Sequence, residues 1–188
     1  MIVETATAAF LERGYAATCM SGIASTLGGS KATLWAHFAS KEELFVAVVD
    51  TLIARYEGEV DRLLGQRDFS IPALRSFCIS FLAQLMRMRS NRLYRLIIGE
   101  GARFPELGRI FEERGPARMQ AYLTRFFATA FPPEEAARLS QIVFVALVGF
   151  RSNALFMNHP LPPEQIEDFV DGLLAHLRFT EPAPSPAG

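Results

Sequence analysis

The sequence predicts an all-α protein of about nine helices, and three observations carry that prediction. Apolar residues recur at i, i+3, i+4 and i+7 along most of the chain, the period of helices with one buried face. Alternating apolar and polar runs of the strand type are scarce. Glycine, proline, serine and threonine fall between the periodic stretches, where helices start or stop. With 188 residues, half of them apolar and 21% charged, the chain can bury a sizeable core and is not of a disordered or collagen-like composition.

The elements follow in order. Ile2, Ala6, Ala9 and Phe10 form the stripe of a first helix, which Gly14 can close in a left-handed conformation. Thr18 can cap a second helix carrying Met20, Ile23, Ala24 and Leu27. Gly28 and Gly29 make a turn, and Ser30 can cap a short third helix with Leu34 and Phe38 inward. Ser40-Lys41-Glu42-Glu43 is a capping box that opens a long fourth helix through Leu44, Val48, Leu52 and Tyr56. Short helix, tight turn, short helix is the outline of a helix-turn-helix. After a polar stretch at 65–70, Pro72 stands in the first turn of a helix carrying Phe77, Phe81, Leu85 and Met88. A further block runs through Tyr94, Ile97 and Ile98. Gly101, Pro105, Gly108 and Gly115-Pro116 break the next part into shorter pieces. Met119, Tyr122, Leu123, Phe126 and Phe127 continue helically. Pro132-Pro133-Glu134-Glu135 and Pro162-Pro163-Glu164 start the last two helices. Residues 181–188, rich in proline, alanine and serine, are expected to be a disordered tail.

Several function classes are set aside by what the chain lacks. Cys19 and Cys78 can form at most one bridge, and His37, His159 and His176 have no metal-ligand spacing with them. No zinc-protease, CxxC or phosphate-loop string occurs, and no nucleophile–base pair or paired carboxylates stand out. The expectation is therefore a non-enzyme with no cofactor and no metal. The amphipathic N-terminus carries Glu4 and does not read as a signal peptide, and the longest apolar run, 142–150, is short for a membrane span. A soluble cytoplasmic protein with no membrane partner is expected.

The last two helices predict self-association. Ile166, Phe169, Val170, Leu173, Leu174 and Leu177 keep helical spacing, while 142–150 is apolar all round. A helix of that kind can be wholly internal in a monomer. It can also pack between its own core and a second subunit. The second solution gives a four-helix dimer interface, with Ile142, Val143, Leu147, Phe150, Phe169, Val170, Leu173, Leu174 and Leu177 as its candidates.

The segment TCMSGIASTLGGSKATLWAHFASK, from Thr18 to Lys41, resembles the helix-turn-helix of the tetracycline-repressor (TetR) family of bacterial transcription regulators. Gly14-Tyr15, Thr18, Ile23-Ala24, Gly28, Ser30, Leu34, Trp35, His37-Phe38 and Ser40-Lys41-Glu42 carry the resemblance. It implies operator double-stranded DNA as a partner, read by the third helix in the major groove. Thr18, Ser30, Lys31, Ala32, Thr33, Trp35, His37 and Lys41 are the candidate DNA-binding residues. Ala32 is small enough to let the backbone approach, and Thr33 offers a hydroxyl and a methyl. Lys31 can reach guanine or phosphate, and Trp35 and His37 have N–H donors for phosphates. Trp35 can alternatively be a core aromatic, and His37 can be satisfied within the fold. From residue 1 to residue 48 there are three basic residues, Arg13, Lys31 and Lys41, against Glu4, Glu12, Glu42 and Glu43. Phosphate contacts supply much of DNA affinity, so one subunit is expected to bind weakly and to depend on dimerisation.

LYRLIIGEGARFPELGRIFEERGPARMQAYLTRFF, from Leu93 to Phe127, resembles the C-terminal domain of the AefR-like subgroup of that family, most specifically over the run from Glu100 to Ala117 with Arg103-Phe104-Pro105-Glu106-Leu107 at its core. The domains expected are 1–45 for DNA binding, 46–180 for ligand binding and dimerisation, and 181–188 as tail. Phe77, Phe81, Leu85, Met88, Tyr94, Ile98, Phe104, Phe111, Met119, Tyr122 and Phe126 are candidates to line a pocket for a small hydrophobic effector, or else are ordinary core. Arg151, one turn beyond Leu147, can be an interface pair, a polar anchor in the pocket or a snorkelling surface residue. The resulting expectation is a homodimeric repressor released from a palindrome by its effector. The alternatives are an activator, or a helical ligand-binding or adaptor protein with weakened DNA binding.

Overall fold

The computed structural model describes residues 1–28, 31–65, 67–157, 162–177 and 179. Among them are ten α-helices and no strand: α1 (Ile2–Arg13), α2 (Met20–Thr26), α3 (Lys31–His37), α4 (Lys41–Val60), α5 (Ile71–Leu85), α6 (Met88–Glu100), α7 (Pro105–Arg114), α8 (Pro116–Phe127), α9 (Pro133–Met157) and α10 (Pro163–His176). A π-helical turn, Asp61–Gly65, continues from α4. The tail at 181–188 and His159 lie outside the described residues.

The chain forms two compact units, Met1–Glu57 with Arg87–Ala117, and Gly58–Met86 with Arg118–Gly188. The expected boundary after residue 45 lies within α4 and within the first unit. Three short helices bury too little apolar surface to stand alone. In the first unit, Ala6, Phe10, Ile23, Leu34, Leu44, Phe45, Val48 and Val49 share one core with Leu93, Leu96 and Ile97 of α6 and Leu107 and Ile110 of α7. Its aromatic centre is Phe10, Tyr15 and Phe45, with Tyr15 and Phe45 edge-on to each other at 5.3 Å between centroids. In the second unit, Phe69 packs against Phe126, Phe127 and Phe131, and Phe77 stacks on Phe81. There α10 packs along α5, and Arg75 reaches Asp171 at 2.6 Å and Glu167 at 3.2 Å. The Arg75 hydrogen bond holds the Asp171 carboxyl below its ordinary range.

Local signals explain several helix ends. Gly14 takes φ 85° after α1, a conformation costly for a side chain-bearing residue. Ser40 Oγ accepts the Glu43 N–H at 3.0 Å, and Glu43 Oε2 reaches back to the Ala39 N–H at 2.9 Å. The reciprocal bond of this capping box thus falls one residue early. Three local expectations are corrected. Thr18 does not cap α2: its buried hydroxyl donates to Gly14 O at 2.7 Å and Ala9 O at 3.2 Å, and Cys19 takes the N-cap position. The stripe from Phe77 to Met88 is broken, because α5 ends at Leu85 and Arg87 is extended, although neither glycine nor proline marks the break. Gly108 does not interrupt α7.

By length and mean hydropathy the stretch Pro133–Phe156 would suffice to cross a membrane. Its apolarity has another source, a ridge of Val143, Leu147 and Ala154 buried within the protein. Counting only uninterrupted apolar residues misses a helix whose small and polar residues are spaced along it.

Candidate nucleic-acid interface

The third helix presents the face that the sequence assigns to DNA. Leu34 is buried and Phe38 is half-buried, the inward ridge expected. Thr33, Trp35, Ala36 and His37 are exposed. Trp35 is 43% exposed, which removes its reading as a core aromatic. Ser30 and the side chains of Lys31 and Ala32 lie outside what the structure describes. Thr18 is turned away from solvent by the bonds given above, so its hydroxyl is not presented to a phosphate.

Lys41 has a second commitment. Its Nζ donates to Tyr15 O at 2.9 Å and lies 4.1 Å from the centre of the Tyr15 ring and 5.9 Å from that of Phe104. An ammonium has three N–H donors, and the α1–α2 turn takes one of them. Burial, with Glu106 and Glu42 adding their charges, pushes the Tyr15 phenol up to about 12, so the ring under Lys41 stays neutral.

Four acidic residues of this region are engaged. Glu4 pairs with Arg89. Glu42 pairs with Arg109 at 3.3 Å, and Asp50 with Arg114 at 2.6 Å. Glu100, the last residue of α6, accepts the N–H groups of Tyr15 at 2.8 Å and Ala16 at 2.7 Å. Sequence reading missed Glu100, because its partners are 84 and 85 residues away and are backbone groups.

Cys19 is exposed, and a hydrogen bond from Ser21 lowers its thiol below the ordinary value, helped by the Gly22 backbone, Arg13 and Lys41. Burial pushes the Cys78 thiol up to about 12. A thiol reagent at neutral pH is therefore expected to label Cys19 in the native protein and to reach Cys78 only on unfolding. Peptide mapping checks this, and labelling of both at equal rates would contradict the burial of Cys78.

The predicted pocket residues separate. Phe77, Phe81 and Phe126 are packed core, while Leu85 and Met119 are half-buried. Tyr94 and Phe111 contact one another, and Phe104 contacts Tyr15. Met88 and Ile98 are corrected as lining residues, being 69% and 66% exposed on the outer face of α6. A cleft of about 240 Å³ opens in the second unit, lined by Leu64, Gly65, Arg67, Asp68, Tyr122, Arg125, Phe126 and Thr129. Tyr122 and Phe126 are the predicted residues it contains, and Arg125 stacks over Tyr122 at 4.7 Å. It is smaller than the roughly 300–1,000 Å³ usual for ligand pockets. Arg151 is 3% exposed, so its surface reading is corrected; it continues the buried ridge of Val143 and Leu147 one turn on. Among the described residues no cluster of His, Cys, Asp or Glu could hold a metal ion.

The predicted dimer residues also divide by face. Val143, Leu147, Val170 and Leu174 are buried in the chain's own core, which corrects their assignment to a partner. Ile142 is exposed, and Phe150, Phe169, Leu173 and Leu177 are half-buried, with Phe150 and Phe169 stacked at 4.1 Å. Two more apolar side chains stand out on α9, Val145 at 58% and Phe156 at 88% exposure. With Ile142 and Gly149 they follow helical spacing, a signal present in the sequence but obscured because both faces of α9 are apolar.

A three-helix N-terminus with exposed residues on its third helix has the outline of a helix-turn-helix. The family profile "Bacterial regulatory proteins, tetR family" matches residues 2–48, and that of the "AefR-like transcriptional repressor, C-terminal domain" matches residues 72–132. Among solved structures, a protein described as a TetR-family transcriptional regulator from Mesorhizobium loti MAFF303099 is 29% identical, with a TM-score of 0.78 over 93% of each chain. The flavonoid-responsive regulator FrrA is 30% identical, with a TM-score of 0.70 over 93% of this chain and 91% of its own. The uncharacterised HTH-type transcriptional regulator YhgD of Bacillus subtilis (strain 168) is 34% identical over 64 residues, and that match spans 34% of each protein. The chain belongs to the TetR family of DNA-binding transcriptional regulators and has an AefR-like C-terminal domain.

Proposed function

We propose that this protein is a homodimeric repressor that binds a palindromic operator through α3 and leaves it when a small effector binds the second unit. The exposed face of α3, with Thr33, Trp35 and His37 outside and Leu34 inside, is the observation that carries the reading. Two subunits joined along the exposed stripe of α9 would present two such faces to successive turns of the major groove. The protein would act in the cytoplasm, where the operator is.

The effector is proposed to be small and at least partly apolar. FrrA, 30% identical, is flavonoid-responsive, which favours a planar aromatic compound. The cleft at Tyr122 and Arg125 offers a ring and a guanidinium to such a molecule, but only if it widens on binding. Release requires the effector to bind the non-operator state better than the operator-bound state.

The test is titration of the DNA immediately upstream of the protein's own reading frame at several salt concentrations. A salt-dependent, saturable complex supports the reading, and its absence favours a ligand-binding protein without DNA function. Lys31→Ala is expected to weaken the complex and to flatten its salt dependence by about 0.9 per lost phosphate contact, hence about 2 per dimer. An unchanged affinity and slope would remove Lys31 from the interface. Flavonoids added to the complex then test the effector class, and no release at saturation would exclude them.

A further inference from the structure

Glu100 stands at the join of two elements that the sequence assigns to different domains. It is the last residue of α6, and its carboxylate accepts the N–H groups of Tyr15 and Ala16 in the turn between α1 and α2. Gly14 leaves room for this approach, since a Cβ there would collide with Glu100 Oε1 and the carboxylate would have to shift. The same turn is held from its carbonyl side by Lys41, through the bond to Tyr15 O. Phe104, four residues after Glu100, lies edge-on to the Tyr15 ring at 5.2 Å and within 5.9 Å of the Lys41 ammonium. The turn before α2 is therefore gripped by N–H, C=O and side chain at once, and Glu100 and Phe104 both come from the segment that closes α6 and leads into α7.

We infer that Glu100 is a positioning residue for DNA binding. It fixes the α1–α2 turn, and with it the start of the helix-turn-helix, to the end of α6. The geometry has a directional meaning. A charge-assisted pair of backbone bonds tolerates little displacement. Movement of the end of α6 must carry the turn with it or break both bonds. The helix-turn-helix thereby takes its place from α6 through the α1–α2 turn, in addition to any influence along α4. This inference rests on the proposed DNA-binding role.

The charge of Glu100 makes the test decisive. Removing an acidic side chain near a DNA-binding surface should, by electrostatics alone, strengthen DNA binding. A positioning role demands the opposite. Glu100→Gln keeps the shape but places an amide N–H against a backbone N–H, and Glu100→Ala removes both acceptors. If the freed turn occupies its binding position in about a tenth of molecules, affinity for the upstream duplex falls about tenfold. The salt slope is expected to stay unchanged, since no phosphate contact is lost. Amide hydrogen exchange supplies a readout independent of DNA: Tyr15 and Ala16 should exchange faster in both variants, with the core amides of α5 unaltered. In the wild type, adding the duplex should slow exchange around 101–107, and this effect should vanish in Glu100→Gln, as reciprocal coupling requires.

Equal or tighter DNA binding by both variants would overturn the inference, as would unchanged exchange at Tyr15 and Ala16. Should the wild type bind no DNA, the regulator reading fails on its own, while the exchange comparison still decides whether Glu100 holds the turn. Gly14→Ala, which displaces the carboxylate from the other side, should reproduce the faster exchange.

Discussion

In the dimer proposed along the outer face of α9, Val145→Glu is expected to leave each chain folded, separate the subunits and weaken binding to the upstream duplex by about 10²–10⁴-fold, the gain normally lost with bivalence. The side chain is 58% exposed on α9, so a glutamate there can keep its carboxylate in water within a single chain. Across a two-fold axis it would meet its own copy or an apolar neighbour such as Ile142 or Phe156. A desolvated, unpaired carboxylate is costly in either place. Val145→Ala is the control, expected to weaken association far less. Sedimentation and duplex titration on the same samples give both halves of the answer. A Val145→Glu protein that sediments as a dimer would remove the outer face of α9 from the interface.

Phe45→Ala is expected to destabilise the protein by about 3–5 kcal/mol, the usual loss for a buried phenylalanine. Phe45 is fully buried, and its ring lies 5.3 Å from those of both Phe10 and Tyr15. It joins α1, the following turn and α4 at one point. Total stabilities of single domains run to about 5–15 kcal/mol, so this one truncation takes a large share. Phe45→Leu keeps much of the volume and is expected to cost clearly less. Urea unfolding monitored by far-ultraviolet dichroism checks both variants, and an unchanged midpoint for Phe45→Ala would mean that the aromatic centre is dispensable.

Much of this architecture was legible before any coordinates. The helical stripes, Gly14 after α1, the Ser40 box and the proline starts of α9 and α10 are short-range signals, and short-range signals are what a sequence displays directly. The inward Leu34 and outward Trp35 follow from period alone. What stayed hidden is of longer range. Thr18 has the chemistry of a cap, yet the carbonyls of Ala9 and Gly14 are nearer to its hydroxyl than the α2 amides it was expected to serve. Periodicity marks Val143 and Val145 equally as apolar, and only packing tells that the first faces the core and the second solvent. Phenylalanines abundant enough to suggest an adaptable cavity instead fill the interior, as Phe77 and Phe126 do. Glu100 opens the stretch that carries the AefR-like resemblance, but nothing in that stretch announces a bond to backbone groups 84 and 85 residues away.

The ion pairs of the first unit bear on how freely such a protein can be rebuilt. Glu4, Glu42 and Asp50 meet Arg89, Arg109 and Arg114, all three arginines coming from α6 and α7. Pairs this exposed contribute little to stability, on the order of 0–1 kcal/mol each. Their larger effect is on the field that approaching DNA meets, since each arginine cancels an anion in the part of the chain meant to attract phosphates. A chimera that transplants residues 1–45 onto a foreign body would take Arg89 from Glu4 and Arg109 from Glu42, and would leave the turn at Tyr15 with the bond from Lys41 but without Glu100 and Phe104. A transplant that keeps these contacts is discontinuous, with α6 and α7 travelling alongside the first four helices.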